Sequence, residues 1–140
     1  MDYRKFGSKL LIRLDPGEEL VASLTEICKK EQIVLASVSG IGAVNRVTVG
    51  LFRTKEKKYL SDELRDDFEI TALAGNVSTM NGETYLHLHI TVANAEHKTF
   101  GGHLNEAHVS ATAEIVLDIL DGEIDRFHSD EIGLNLLKFD

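Results

Sequence analysis

The chain has one cysteine, one proline and no tryptophan. With Cys28 alone no intrachain disulfide can form, which excludes the framework that holds many small secreted domains together. Cys28 follows Leu24 and Ile27 in a helical pattern and reads as a core residue. Positive charge is also short, since 15 Lys and Arg stand against 23 Asp and Glu, for a net charge of −8. Duplex DNA binding rests on Lys and Arg neutralising phosphates, so this balance disfavours a generic DNA binder. The densest basic stretch, Arg53 to Lys58, reads as a solvated loop between strands. No apolar run approaches a bilayer span, and the opening Met1-Asp2-Tyr3-Arg4-Lys5 lacks the apolar stretch of a secretory signal. A cytoplasmic protein with no membrane partner is expected. Three tyrosines and six phenylalanines are not interleaved with Arg or Lys as a base-stacking platform requires. A Gly-Lys-Ser phosphate loop, a G-x-S-x-G elbow and a Cys-His pair are all missing, leaving ordinary kinase and hydrolase chemistry without residues to run it.

What is present is a sequence able to fold. Hydrophobic residues make up 43% of 140 residues and charged residues 27%, enough for one real core, and residues 1–140 are expected to form a single domain. Lys9 to Leu14 reads as a short strand. Asp15-Pro16-Gly17-Glu18 then predicts a helix start, with Asp15 as N-cap, Pro16 at the first helical position and Glu18 three residues after the cap. Leu20, Val21, Leu24, Ile27 and Cys28 recur at three- and four-residue spacing, predicting an amphipathic helix that ends near Glu31 or Gln32. The rest reads mainly as strands over residues 33–39, 46–53, 68–78, 84–93 and 109–120, with a weaker element over 132–139. Asn81-Gly82 is a hairpin signal that makes 68–78 and 84–93 antiparallel neighbours. The fold class is therefore α+β, a mixed and largely antiparallel sheet with one main amphipathic helix. The acidic stretch of Asp118, Asp121, Glu123 and Asp125 around Gly122 lacks EF-hand spacing and reads as a solvated turn.

The chemistry-bearing residues are histidines. In His87-Leu88-His89 the strand alternation puts both imidazoles on one side, about 7 Å apart at Cα, so both can reach one ion. His103 follows Gly101-Gly102, where two residues without Cβ let the backbone come close and aim a third ring at that face. Three neutral imidazoles suit zinc, iron or nickel and leave a coordination position open. The alternative reading takes His87 and His89 as ordinary strand histidines and the glycines as a turn. His97 and His108 are weaker candidates, as surface residues or supports for a ligand. Glu106, three residues past His103, is a candidate general base or an acceptor that orients a ligand histidine; a solvent-facing loop glutamate is the competing reading. Ser39-Gly40-Ile41-Gly42-Ala43 is half a dinucleotide fingerprint, but the third glycine is missing and a strand follows. Those glycines make either a tight connection or a close backbone approach.

Taken in order, four stretches resemble the PPC family, the plant and prokaryote conserved domain also known as domain of unknown function 296 and linked by name to PD1-like DNA-binding proteins. They are Leu14 to Leu20, Ala36 to Val44, Phe68 to Ser78, and the pair His87-Leu88-His89 with Gly101-Gly102-His103-Leu104, together nearly the whole chain. The resemblance implies a PPC-like, largely antiparallel fold assembled as a homotrimer. It implies a metal, zinc by default, on His87, His89 and His103, with a small molecule or water at the open position. The competing function is a DNA-associated or protein-interaction module without catalysis. Two departures are visible. No Arg-Gly-Arg-Pro AT-hook is present, and Asp66-Asp67 stands where the family often has Gly-Arg.

Overall fold

The computed structural model describes residues 1–139. Eight strands and one helix run in the order β1 (Asp2–Phe6), β2 (Lys9–Leu14), α1 (Leu20–Lys30), β3 (Ala36–Arg53), β4 (Lys58–Met80), β5 (Glu83–Ala93), β6 (Thr99–Ile119), β7 (Arg126–Ser129) and β8 (Leu134–Leu137). The main sheet has the order β1-β2-β6-β3-β4-β5, and β5 pairs back onto β6, so β6, β3, β4 and β5 close on themselves. Every pairing is antiparallel. Closure removes the exposed edge that β5 would otherwise present. β6 does double duty: residues 99–103 pair with β5, and residues 113–118 pair with β2.

The core follows from strand alternation. Leu10, Ile12 and Leu14 on β2, Leu88, Ile90 and Val92 on β5, and Ala113, Ile115 and Leu117 on β6 are all buried, each at every second position. Leu20, Leu24, Ile27 and Cys28 of α1 close over them. Burial raises the Cys28 thiol to about 11, as expected of an inert packing residue.

Several sequence expectations shift. The helix begins four residues later than Asp15-Pro16 suggests: its N-cap is Glu19, whose carboxylate accepts from the amides of Val21 and Ala22. Asp15 to Glu18 instead form a turn, with Gly17 at φ +89 and its amide bonded to the Val109 carbonyl, so tertiary pairing overrides the local cap signal. The segments expected at 33–39 and 46–53 join in one long β3 that starts only at Ala36, residues 33–35 lying outside it, and that is bent by register shifts around Gly40/Gly42 and Val44/Arg46. A Cβ on Gly40 would sit 3.1 Å from Glu114 O, so these glycines admit a neighbouring backbone and do not end a strand. Gly101-Gly102 likewise lie inside β6 and not in a turn. Residues 132–139 resolve into β8 paired with β7. The Asn81-Gly82 hairpin stands as read, with φ of 53° and 80°.

Candidate metal centre

β5 buries Leu88 and Ile90 in the core and turns His87 and His89 to the other face. His103 of β6 is the register partner of His89, and on its far side pairs with Gly50 of β3. The glycines account for this approach. A Cβ on Gly102 would stand 2.6 Å from the Gly50 carbonyl oxygen, and one on Gly101 would stand 2.5 Å from that of Ile90. Any other residue at either position would push the strands apart.

The three rings are mutual neighbours, with centroids 5.2 Å (His87–His89), 5.3 Å (His87–His103) and 5.7 Å (His89–His103) apart. One nitrogen from each lies within 4.8 Å of the others. Zn–N bonds of about 2.0–2.1 Å place tetrahedral nitrogens about 3.3 Å apart, a gap that small ring rotations close. Among the described residues, the histidine ring nitrogens that make hydrogen bonds belong to His108 and His128, so those of the cluster stay available. Burial, then the charges of His103, Arg126 and His89, hold His87 below the usual histidine range; burial, then His89, does the same for His103. Both are therefore neutral at pH 7, the form that binds a cation. The donor set fits a divalent transition metal.

The rings open into a cavity of about 680 Å³ on the face opposite the core. Tyr59 stands edge-on to His103, 5.9 Å between centroids, and its hydroxyl donates to Asn105 Oδ1. Leu134, Leu136 and Leu137 form a wall contributed by the β7–β8 hairpin. Arg126 of β7 lines the cavity as well, 6% exposed, and sequence reasoning missed it.

Glu106 does not line this cavity. Its carboxylate is engaged by Arg46 at 3.0 Å and by His108, and the His108 hydrogen bond, with Arg46, holds it below the usual carboxylate range. His97 lies in the turn between β5 and β6, and Arg53 to Lys58 spans the turn between β3 and β4. The acidic stretch contributes to no metal-ligand cluster among the described residues; Asp118 pairs with Lys9, and Asp125 accepts from Thr79. Among the described residues, no helix is long and apolar enough to cross a membrane.

The profile of the Plants and Prokaryotes Conserved (PCC) domain matches residues 1–121. The chain belongs to that family. A candidate DNA-binding protein from Bacteroides thetaiotaomicron is 36% identical, with a TM-score of 0.96 over 99% of this PCC chain and 96% of that one. A plant- and prokaryote-conserved protein from Pyrococcus horikoshii is 34% identical, TM-score 0.87, covering 99% and 95%. A metal-containing protein from Archaeoglobus fulgidus is 31% identical, TM-score 0.87, covering 99% of both chains. Curated relatives, the bifunctional protein GlmU of two Synechococcus strains, are 34% identical over 108 residues, which is 76% of this chain and 16% of theirs. The PCC chain thus spans about one sixth of those relatives' length. The β7–β8 hairpin, with Arg126, lies beyond the matched residues.

Proposed function

We propose that this PCC protein binds a divalent cation, zinc by preference, through His87, His89 and His103, and presents its open coordination position to a small molecule or water in the cavity. The observation that carries this reading is the convergence of three imidazoles, drawn from two strands, at the wall of one pocket. A structural zinc site would use four protein ligands, whereas three with an open position is the arrangement of catalytic and exchangeable sites. The metal-containing relative from Archaeoglobus fulgidus, which matches along its whole length, supports it. When bound, the ion would act as a Lewis acid toward a coordinated oxygen. The protein's part is to hold the three rings together and aimed, and to wall the cavity with apolar side chains. Glu106, the candidate general base, is held by Arg46 and His108 outside the cavity lining, and this reading gives it no step. We take residues 1–140 as one domain, in the cytoplasm, assembling into a homotrimer.

Metal analysis of protein purified without a histidine tag tests the reading. About one ion per chain is expected, and a metal content near zero after incubation with zinc would refute it.

A second reading, a DNA-associated or protein-interaction module without catalysis, is favoured by the DNA-binding description of the Bacteroides thetaiotaomicron relative. The net charge of −8 and the lack of an AT-hook weigh against its DNA form.

A further inference from the structure

Arg126 is 6% exposed, yet none of the ion pairs among the described residues includes it. Its guanidinium spends three of five N–H donors inside the protein: Nε to Ser78 Oγ at 2.8 Å, Nη1 to the Asn135 carbonyl at 2.9 Å and Nη2 to Asn76 Oδ1 at 2.9 Å. All three partners are neutral. The Tyr85 ring lies 4.6 Å beneath the group and fixes its plane. One donor remains on each terminal nitrogen. The wider cavity repeats the imbalance: in a chain of net charge −8, no aspartate or glutamate lines it among the described residues, while Arg126 and three histidines do. A buried cation without a counter-charge is costly, and a bound metal would add further positive charge beside it.

We infer that the cavity takes a small organic carboxylate, whose two oxygens accept the two spare N–H groups of Arg126 while its apolar body lies against the leucines of the β7–β8 hairpin. The inference deepens the reading of this cavity as a ligand site and rests on it. A planar fork with two free donors matches the two oxygens of a carboxylate, whereas a phosphate, with three acceptor oxygens, would be left under-satisfied. The volume, about 680 Å³, and the Leu51, Phe52, Leu134, Leu136 and Leu137 lining suit a metabolite-sized molecule with an apolar portion. Arg126 thus has two tasks. It ties the hairpin to β4, and it supplies the charge that chooses the ligand.

Calorimetric titration of the wild type, Arg126→Gln and Arg126→Lys with hexanoate, 1-hexanol and inorganic phosphate, each with and without zinc, tests this. Hexanoate is expected to bind the zinc-loaded wild type about tenfold or more tighter than 1-hexanol or phosphate. Arg126→Gln should lose that preference with zinc content unchanged, and Arg126→Lys should recover only part of it. The metal-free wild type should keep an Arg126-dependent preference for hexanoate, so failure of zinc to bind would sink the metal reading and leave this one standing. Conversely, hexanoate binding that needs zinc but is equal in wild type and Arg126→Gln would sink this inference and keep the metal. Equal binding of hexanoate and 1-hexanol, tighter binding of phosphate, or no binding of hexanoate would each overturn it. Should Arg126→Gln fail to fold, the guanidinium N–H resonances of wild-type Arg126 decide the matter: they should shift on hexanoate addition, and an unmoved signal at saturation counts against the site.

Discussion

His87 and His89 share a face because side chains two apart along a strand point the same way, and an H-x-H spacing reveals that much without any structure. His103 was legible only through its glycines, since no spacing predicts that β6 would set it opposite His89. Arg126 carried no signal at all. It follows an acidic turn in a four-residue strand, and its burial exists only once the β7–β8 hairpin docks on β4. Glu106 was read by sequence distance from His103, but a register shift between Leu104 and Glu106 breaks the strand alternation there, and the structure engages Glu106 with Arg46 and His108. At this scale His87→Ala or His89→Ala should each reduce bound metal well below one ion per chain while the far-ultraviolet dichroism of the fold persists; full occupancy in both variants would remove the assignment. Metal content should also fall with pH. Imidazoles bind only when neutral, and because His87 and His103 are held below the usual histidine range, release should be displaced to below about 6.5. In metal-free protein the sign is the same: a lowered folded value makes stability full above about 6.5 and diminishing as pH falls toward that value. Occupancy that holds below about 6.5 and is lost only at about pH 4 would point to carboxylate ligands.

Among the elements, those with strong local chemistry were readable. Asn81-Gly82 demanded positive φ at both residues and gave the β4–β5 hairpin; the apolar spacing from Leu20 to Cys28 gave α1. Where tertiary contacts decide, local signals misled. Asp15-Pro16-Gly17-Glu18 has the chemistry of a cap, yet the pairing of Gly17 and Glu18 with Val109 keeps it a turn. Glycines that read as punctuation lie inside β3 and β6, where they let strands close up. β1 went unseen because Asp2 to Phe6 is exposed almost throughout and shows no apolar alternation. The glycines make a prediction possible. Gly102→Ala drives a Cβ against the Gly50 carbonyl and should cost roughly 1–3 kcal/mol in urea unfolding, because packed backbones must part. It should also weaken metal binding by moving His103. Gly7→Ala meets nothing within 4 Å, so only its φ of +59 matters; about 1–2 kcal/mol and unchanged metal affinity are expected there. Equal metal affinity in both variants would separate the glycine pair from the site.

For the whole molecule, large apolar side chains left exposed on the main sheet include Leu11 at 49%, Ile41 at 57%, Leu51 at 62% and Phe100 at 40%. The outward positions of β4 between residues 69 and 74 include Glu69, Thr71 and Ala74, which are small or polar. A closed ring of three subunits would bury two different patches per chain, and light scattering at micromolar concentration should give the mass of three 15.5 kDa chains. A monodisperse monomer would eliminate the trimer. Random duplex DNA should bind only weakly, with affinity lost as salt rises; tight binding at physiological salt in fluorescence anisotropy would promote the DNA-associated reading. The closure of the sheet by β6 also bears on how the chain is made. Lys9 and Asp118, which meet across β2 and β6, are 109 positions apart. During synthesis, β2, β3 and β5 emerge first, and each must wait for the one strand that pairs with all three. Until residue 119 clears the ribosome the nascent chain carries open strand edges, the very surfaces on which neighbouring polypeptides aggregate. Folding should therefore be slow for so small a protein, on the order of milliseconds to seconds, and its yield in a cell should depend on chaperones shielding the growing chain through the translation of β6.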